Sequence, residues 1–305
     1  MQKHSFHIDF NSSKCMNRLR IFLSSPKGFI SLFFILVVVN NEYVSQVLKQ
    51  YFFLPLTSLF LSLLITPAVI EISKTLKIVD KPDERRKVHK VEISLLGGIG
   101  VALSFSGAIA LSDITVPSKY VVLIACSLLI LLVGLLDDIV KVSAKTRLLA
   151  QFFIALWVIR EGISLEFFPI NTLWGRSINN LMTIIWIIGF TNAYNFIDGL
   201  DGLAAGIGII ILSFTLCISY LNGVTEVMLV ILPLCGALFG FLVFNFYPAI
   251  VFLGDAGAQF CGFLISVITA DAGWAKVGEP VKALVGPGLV MWILIFDITQ
   301  ITILR

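Results

Sequence analysis

Four polar side chains, Asn192, Asn195, Asp198 and Asp201, recur every three residues in TNAYNFIDGLDGLAAG (191–206), a stretch set between two long apolar runs. On an ideal α-helix a step of three drifts by about 60°, so any three of the four share one face. Carboxylate and amide oxygens gathered in this way suit a hard cation such as Mg²⁺, which takes one or two carboxylates and completes its shell with water and phosphate oxygens. Gly199 and Gly202 loosen the backbone for a turn or for the close approach of a ligand. An Asp in the membrane core costs about 2.5 to 3.5 kcal/mol on insertion scales, so neither acid is expected to face lipid. A plain Asp-Gly turn between helices is the bland alternative, and it needs neither asparagine.

Other acids lie at the ends of apolar runs. In LLVGLLDDIVK (131–141) Asp137 and Asp138 close one run. Carboxylates at a helix C-terminus oppose the helix dipole, and that local cost argues for a use. Two adjacent acids can hold a cation, or one can act as base while its neighbour helps set its pKa. Lys141, Lys145 and Arg147 follow closely and could instead simply pair with them. In FNFYPAIVFLGDAG (244–257) Asp255 opens the next run between two glycines, either as an ordinary helix cap or, with Asn245 and Phe252, as a pocket wall. Phe252 offers a face on which a nucleobase can stack, although most Phe in so apolar a chain are lipid or core residues. The run DKPDERRKVHK (80–90), with Arg85, Arg86, Lys87, His89 and Lys90, fits phosphate binding and membrane-topology charge equally well. GGIG (97–100) reads as close helix contact in preference to a phosphate loop. Asp297, near the inner end of the last run, is either an interfacial or a supporting residue.

The elements that must position these residues follow from composition. Hydrophobic residues make up 58% of the 305 and charged ones 13%, with a mean hydropathy of +0.97, far from the range of soluble domains. Continuous blocks of Leu, Ile, Val and Phe exclude a β-barrel and leave an all-α, polytopic membrane bundle. The cysteines Cys15, Cys126, Cys217, Cys235 and Cys261 show no C-x-x-C spacing, and the last four lie in apolar runs. They read as small core residues without a disulfide framework or zinc site. With two of three histidines in the first seven residues, catalysis must run mainly on carboxylates, amides and basic side chains.

A span of about 30 Å takes roughly 20 helical residues. Nine candidates meet that measure, near 52–72, 94–112, 119–136, 147–163, 178–191, 203–221, 227–246, 257–271 and 281–301. The earlier run 28–40 is short and could be a tenth span, an interfacial helix or part of an N-terminal extension over 1–50. Letting the nine alternate puts Lys74, Lys77, Lys81, Arg85, Arg86, Lys87, Lys90, Lys141, Lys145, Arg147 and Arg305 on one side. The other side has Lys119, Arg160, Arg176, Lys276 and Lys282 mixed with acids, so the first side is expected to be cytoplasmic. All four polar clusters fall on that side and can converge. No cleavable signal peptide is expected.

Acids and amides for a divalent cation, ringed by Lys and Arg at one face of a hydrophobic bundle, suggest phosphoryl chemistry on a partly lipid substrate. An ion transporter would carry its acids mid-span on broken helices. The chain from about Phe52 to Arg305 resembles the polyprenyl-phosphate N-acetylhexosamine-1-phosphate transferases of glycosyl transferase family 4. The resemblance rests on DKPDERRKVHK followed by LGG, then GLLDD, NAYNFIDGLDGLA, FNFYPAIVFLGDAG and IFD, in the family's order. The first of these is more like the enzymes that load GlcNAc-1-phosphate than the branch that loads phospho-MurNAc-pentapeptide. The resemblance implies transfer of a sugar-1-phosphate from a UDP-sugar to undecaprenyl phosphate in the cytoplasmic membrane, with release of UMP.

It also implies roles. Asn195 and Asp255 would bind Mg²⁺, with Mn²⁺ as a substitute, and Asp198 would lie beside them. Phe252 would stack on uracil, while Asn192, Asp201 and Asn245 would help to hold the substrate. Asp137 would deprotonate or position the lipid phosphate, with Asp138 supporting it, and Lys87, His89, Lys145 and Arg147 would neutralise phosphate charge. No nucleic-acid partner is expected, and a homodimer is compatible with the resemblance. Two departures are Ser94 where a Pro is common and Ala258 where a Ser is common. The family's His-rich loop and last helix have no counterpart up to Arg305, which bears on sugar recognition. A transporter, or a degenerate homologue kept as a partner, is the rival class.

Overall fold

The structure is a computed structural model and describes residues 46–80, 92–274, 285–289, 291, 292, 294 and 296. Among these the helices are α1 (Gln46–Leu76), α2 (Gly97–Ala110), α3 (Ser118–Val140), α4 (Ala144–Arg160), α5 (Leu173–Ile197), α6 (Leu203–Leu221), α7 (Met228–Asn245) and α8 (Gly254–Asp271). Residues 285–289 are also helical, so the ninth expected span is described only in part. The two strands, β1 (Val79–Asp80) and β2 (Ile93–Ser94), pair antiparallel between α1 and α2. Among the described residues four helices are long and apolar enough to cross a membrane: Tyr51–Leu76 of α1, then α3, α6 and α7. The all-α, multi-pass membrane architecture expected from the hydropathy is the one observed.

Helix α8 forms the centre of the bundle. Apart from Asp255 and Asp271 its residues are buried on every side, among α2, α3, α5 and α6. Small residues make that possible, because backbones in a membrane bundle associate by close van der Waals contact. A Cβ on Gly98 would stand 2.1 Å from Gly257 Cα, and one on Gly134 would stand 2.5 Å from Ala256 Cα. GGIG is therefore a contact surface, as its spacing suggested. Its amides are used in the same contact, Gly97 N–H donating to Phe252 O and Gly98 N–H to Leu253 O, both at 3.0 Å.

A second close pair joins α1 and α7. Ser58 Oγ donates to Pro233 O at 2.6 Å and Ser62 Oγ to Ala237 O at 2.9 Å. Gly236 and Gly240 lie against Pro55 O and Leu59 O, where a side chain would collide.

Helices α3 and α8 run antiparallel and are fastened at both ends. At the end remote from the acid clusters, Asp271 Oδ2 accepts from Tyr120 Oη at 2.7 Å and from Lys119 Nζ at 3.2 Å. Lys119 also pairs with Glu226 at 3.7 Å. Cys126, Cys235 and Cys261 are buried as expected, but Cys217 is exposed on the outer face of α6. That corrects its reading as a core residue: a small weakly polar thiol also suits an outward-facing position on an apolar helix.

Gly98→Ala is expected to destabilise the protein by about 1 to 3 kcal/mol through overpacking against α8. Thermal unfolding in detergent checks this, with Gly189→Ala, whose added Cβ meets nothing within 4 Å, as the neutral comparison.

Candidate active site

The acid clusters lie at helix ends that meet on one side of the bundle. Asp138, in the last turn of α3, reaches the start of α8, its Oδ1 accepting from Asp255 N–H and its Oδ2 from Ala256 N–H, each at 3.0 Å. The first turn of a helix has amides without intrahelical partners and carries the positive end of its dipole. An acid badly placed on its own helix is thus well placed on its neighbour. Leu253, at the N-cap position of α8, supplies no side-chain cap, so Asp138 takes that role from across the bundle. Asp255 is not the cap of its helix, which frees its carboxylate for other use. Gly254 has φ of +71°, and a Cβ there would lie 2.2 Å from Leu95 O.

Asp255 Oδ1 accepts from Asn195 Nδ2 at 3.1 Å. The helix α5 runs to Ile197, six residues beyond the expected boundary at 191, and so carries Asn192 and Asn195 on its last two turns. Asp198 is the C-cap residue. The helix stops there, so Asn192, Asn195 and Asp198 are the three that follow helical spacing, and the backbone turns before Asp201. Asp201 lies in the turn before α6, where its Oδ2 accepts from Ala249 N–H at 2.8 Å. Gly202, with φ of +74°, begins α6 and donates its N–H to Asn245 Oδ1 at 3.0 Å. Asn245, buried to 2% exposure, donates Nδ2 to Val251 O at 2.8 Å. Asp201 and Asn245 thereby tie the 198–202 turn to the 246–252 segment. Phe252 is half-buried in that segment, its N–H on Ser94 O at 2.8 Å.

Asp137 is buried. Its Oδ1 accepts from Val142 N–H at 2.7 Å, and its Oδ2 pairs with Arg147 of α4. Arg147 is half-buried and Lys145 is exposed on the first turns of the same helix. Lys87, His89 and Asp297 lie outside the described residues. Sequence reasoning passed over Gln151 and Gln259, both 1% exposed. Their signal was present: each is an uncharged polar side chain inside an otherwise apolar run, LLAQFF and GAQFCGF.

The structure thus brings Asp138, Asn195, Asp198 and Asp255 together, with Asp137 and Arg147 adjacent. Asp198 keeps part of its surface open, yet the surrounding protein strips most of its water. Burial first, then the negative charges of Asp255 and Asp138, push its carboxyl well above the ordinary carboxylate range. Among the described residues no three His, Cys, Asp or Glu form a ready cation cage. An Mg²⁺ site built on one or two carboxylates, with substrate oxygens completing it, does not need one. The donor set fits such an ion. Asn195 Oδ1 and Asp255 Oδ2 make no other hydrogen bond among the described residues, and the crowded negative charge is what a cation relieves.

The family model described as glycosyl transferase family 4 matches residues 120–273, a stretch that contains every converging acid of this site. The chain belongs to that family and is a membrane-embedded transferase. A Bacillus subtilis (strain 168) protein named "Probable undecaprenyl-phosphate N-acetylglucosaminyl 1-phosphate transferase" is 33% identical over 254 residues, which cover 82% of this chain and 70% of the relative. A phospho-N-acetylmuramoyl-pentapeptide-transferase of Streptococcus pneumoniae (strain Hungary19A-6) is 31% identical over 234 residues, 70% of this chain and 71% of the relative.

A carboxyl with a raised pKa binds its proton more tightly in the folded than in the unfolded chain. Its stabilisation is therefore complete below the ordinary value, about 3.9, and is lost as pH rises through the folded value. In metal-free buffer the thermal midpoint is expected to fall as pH rises from about 4, and Asp198→Asn is expected to flatten that fall. Asp138→Ala, which strips two helix-start amides of their acceptor, is expected to cost about 1 to 2 kcal/mol in the same measurement at neutral pH.

Proposed function

We propose that the protein transfers N-acetylhexosamine-1-phosphate, with GlcNAc-1-phosphate as the favoured group, from a UDP-sugar to a polyprenyl phosphate such as undecaprenyl phosphate, and releases UMP. The observation that carries this reading is the meeting of Asn195 and Asp255 beside Asp138, Asp198 and the Asp137–Arg147 pair at one end of an apolar bundle. The names of the two relatives describe the same kind of reaction on two different sugars. The lipid phosphate oxygen forms a bond to the β-phosphorus of the UDP-sugar, and the bond from that phosphorus to the oxygen bridging to the α-phosphate breaks. The bridging oxygen leaves with UMP. One phosphoanhydride replaces another, so no further energy source is required.

A bound Mg²⁺ would neutralise the charge of the pyrophosphate oxygens during this exchange. Asn195 and Asp255 would hold it, and Asp198 would add negative charge beside them. Asp138 keeps the start of α8, and so Asp255, in place through two backbone hydrogen bonds. Asp137 fixes the guanidinium of Arg147, whose remaining N–H donors suit the lipid phosphate. Lys145, exposed two residues before Arg147, adds positive charge, as would Lys87 and His89. Asp201 and Asn245 brace the backbone that presents Phe252 to the uracil, and stacking there supplies sequence-independent affinity of about 1 to 3 kcal/mol. The excess of Lys and Arg expected on this side supports a site at the cytoplasmic face of the cytoplasmic membrane.

Detergent-purified protein with Mg²⁺ and a short prenyl phosphate is expected to release UMP from UDP-GlcNAc. Asp255→Asn and Asp137→Asn are each expected to lower that rate by about 10²-fold or more. Release from other UDP-sugars, the muramoyl-pentapeptide donor among them, ranks the donors. The absence of UMP release with every donor rejects the transfer reading, and unaltered rates in both variants reject the assigned site.

A further inference from the structure

One buried cluster has no part in the chemistry above. Asn192 of α5 donates Nδ2 to Gln151 Oε1 of α4 at 2.7 Å and to Ile188 O at 2.7 Å. Gln151 donates Nε2 to Gln259 Oε1 of α8 at 3.3 Å. Gln259 Nε2 ends the chain, with no acceptor among the described residues.

An amide's nitrogen and oxygen are told apart by the network they enter, and here a backbone carbonyl settles the whole series. Ile188 O can only accept, so Asn192 must turn Nδ2 towards it and towards Gln151. Gln151 must then offer Oε1 to Asn192 and Nε2 to Gln259, which in turn must offer Oε1. Reversing any member sets two donors or two acceptors face to face. The direction is fixed from α5 through α4 to α8.

Its position is as informative as its direction. Asn192 and Asn195 lie three residues apart on one face of α5, and Asp255 and Gln259 four apart on one face of α8. The Asn195–Asp255 contact and the Asn192–Gln151–Gln259 series are therefore two successive cross-links between the same two helices. The first joins them directly, and the second passes through α4. Arg147 lies four residues before Gln151 on α4 and pairs with Asp137. Helix α4 thus touches all three helices that carry the site's acids.

We infer that Asn192, Gln151 and Gln259 form a one-way amide relay that sets the gap between α5 and α8, so that Asn195 and Asp255 stand at the separation a divalent cation needs. Gln151 is then a positioning residue. This rests on the reading of Asn195 and Asp255 as cation ligands. Groups that orient metal ligands typically change affinity by about 10- to 100-fold when removed.

The test measures Mn²⁺ binding to the full chain in detergent, without substrate, from the loss of the free-ion electron paramagnetic resonance signal. Gln151→Leu cuts both links and is expected to weaken binding about tenfold or more. Gln151→Glu still accepts from Asn192, and it lets Gln259 turn its amide round and donate to the new carboxylate. Binding there is expected to stay within about threefold of the unaltered protein, a partial rescue that lost volume alone would not produce. If Gln151→Leu does not fold, Gln259→Met cuts only the last link and is expected to weaken binding in the same direction. Unchanged affinity in a folded Gln151→Leu or in Gln259→Met overturns the relay, as does Gln151→Glu binding no better than Gln151→Leu. Failure of the unaltered protein to bind Mn²⁺ overturns the cation reading and the relay with it. Mn²⁺ binding without UMP release rejects only the transfer reading.

Discussion

The site depends on one carboxylate that serves a helix other than its own. Asp138 sits where the dipole of α3 is unfavourable and satisfies two amides where the dipole of α8 is favourable. The same contact sets the height of α8 relative to α3, and with it the level at which Asp255 meets Asn195. Gly254, Gly134 and Gly98 allow the approach by leaving no side chain in the way. Electrostatics and sterics thus converge on a single helix start.

Much of this was legible in the sequence. The three acid and amide clusters at 137–138, 192–201 and 245–255 are conspicuous because their side chains are costly in an apolar chain, and alternation of the spans carried them to one end. The partners of those side chains were not legible. Nothing local links Asp138 to residues 255 and 256, or Asn245 to Gly202, because such pairings exist only once the helices pack. The spacing of three from Asn192 to Asp201 suggested one face, but the helix ends at Asp198 and the last acid turns to Ala249. A chain that must turn sharply at Gly202 cannot keep helical periodicity through it.

The all-α membrane character was legible for a different reason. Helices α1, α3, α6 and α7 announce themselves by hydropathy because each carries a long apolar stretch with few charges. Helix α8 is less apolar yet more buried, since its neighbours are protein and small residues serve it better than large aliphatic ones. Hydropathy measures suitability for lipid, so a central helix gives a weak signal. Gln151 and Gln259 escaped notice for a related reason: an uncharged amide lowers the hydropathy of a run only slightly, and its meaning lies in a partner far along the chain.

The attachment of α8 at its far end also has a bearing on how the site withstands mechanical load. Asp271 is tied to Lys119 and Tyr120 on the side of the bundle away from the acids, while Asp138 grips the other end of the same helix. A rod held at both tips cannot slide along its axis without breaking polar contacts at both ends of the bundle. Axial strain is therefore resisted by the whole α3–α8 pair, and Asp138 and Asp255 keep a fixed register along it.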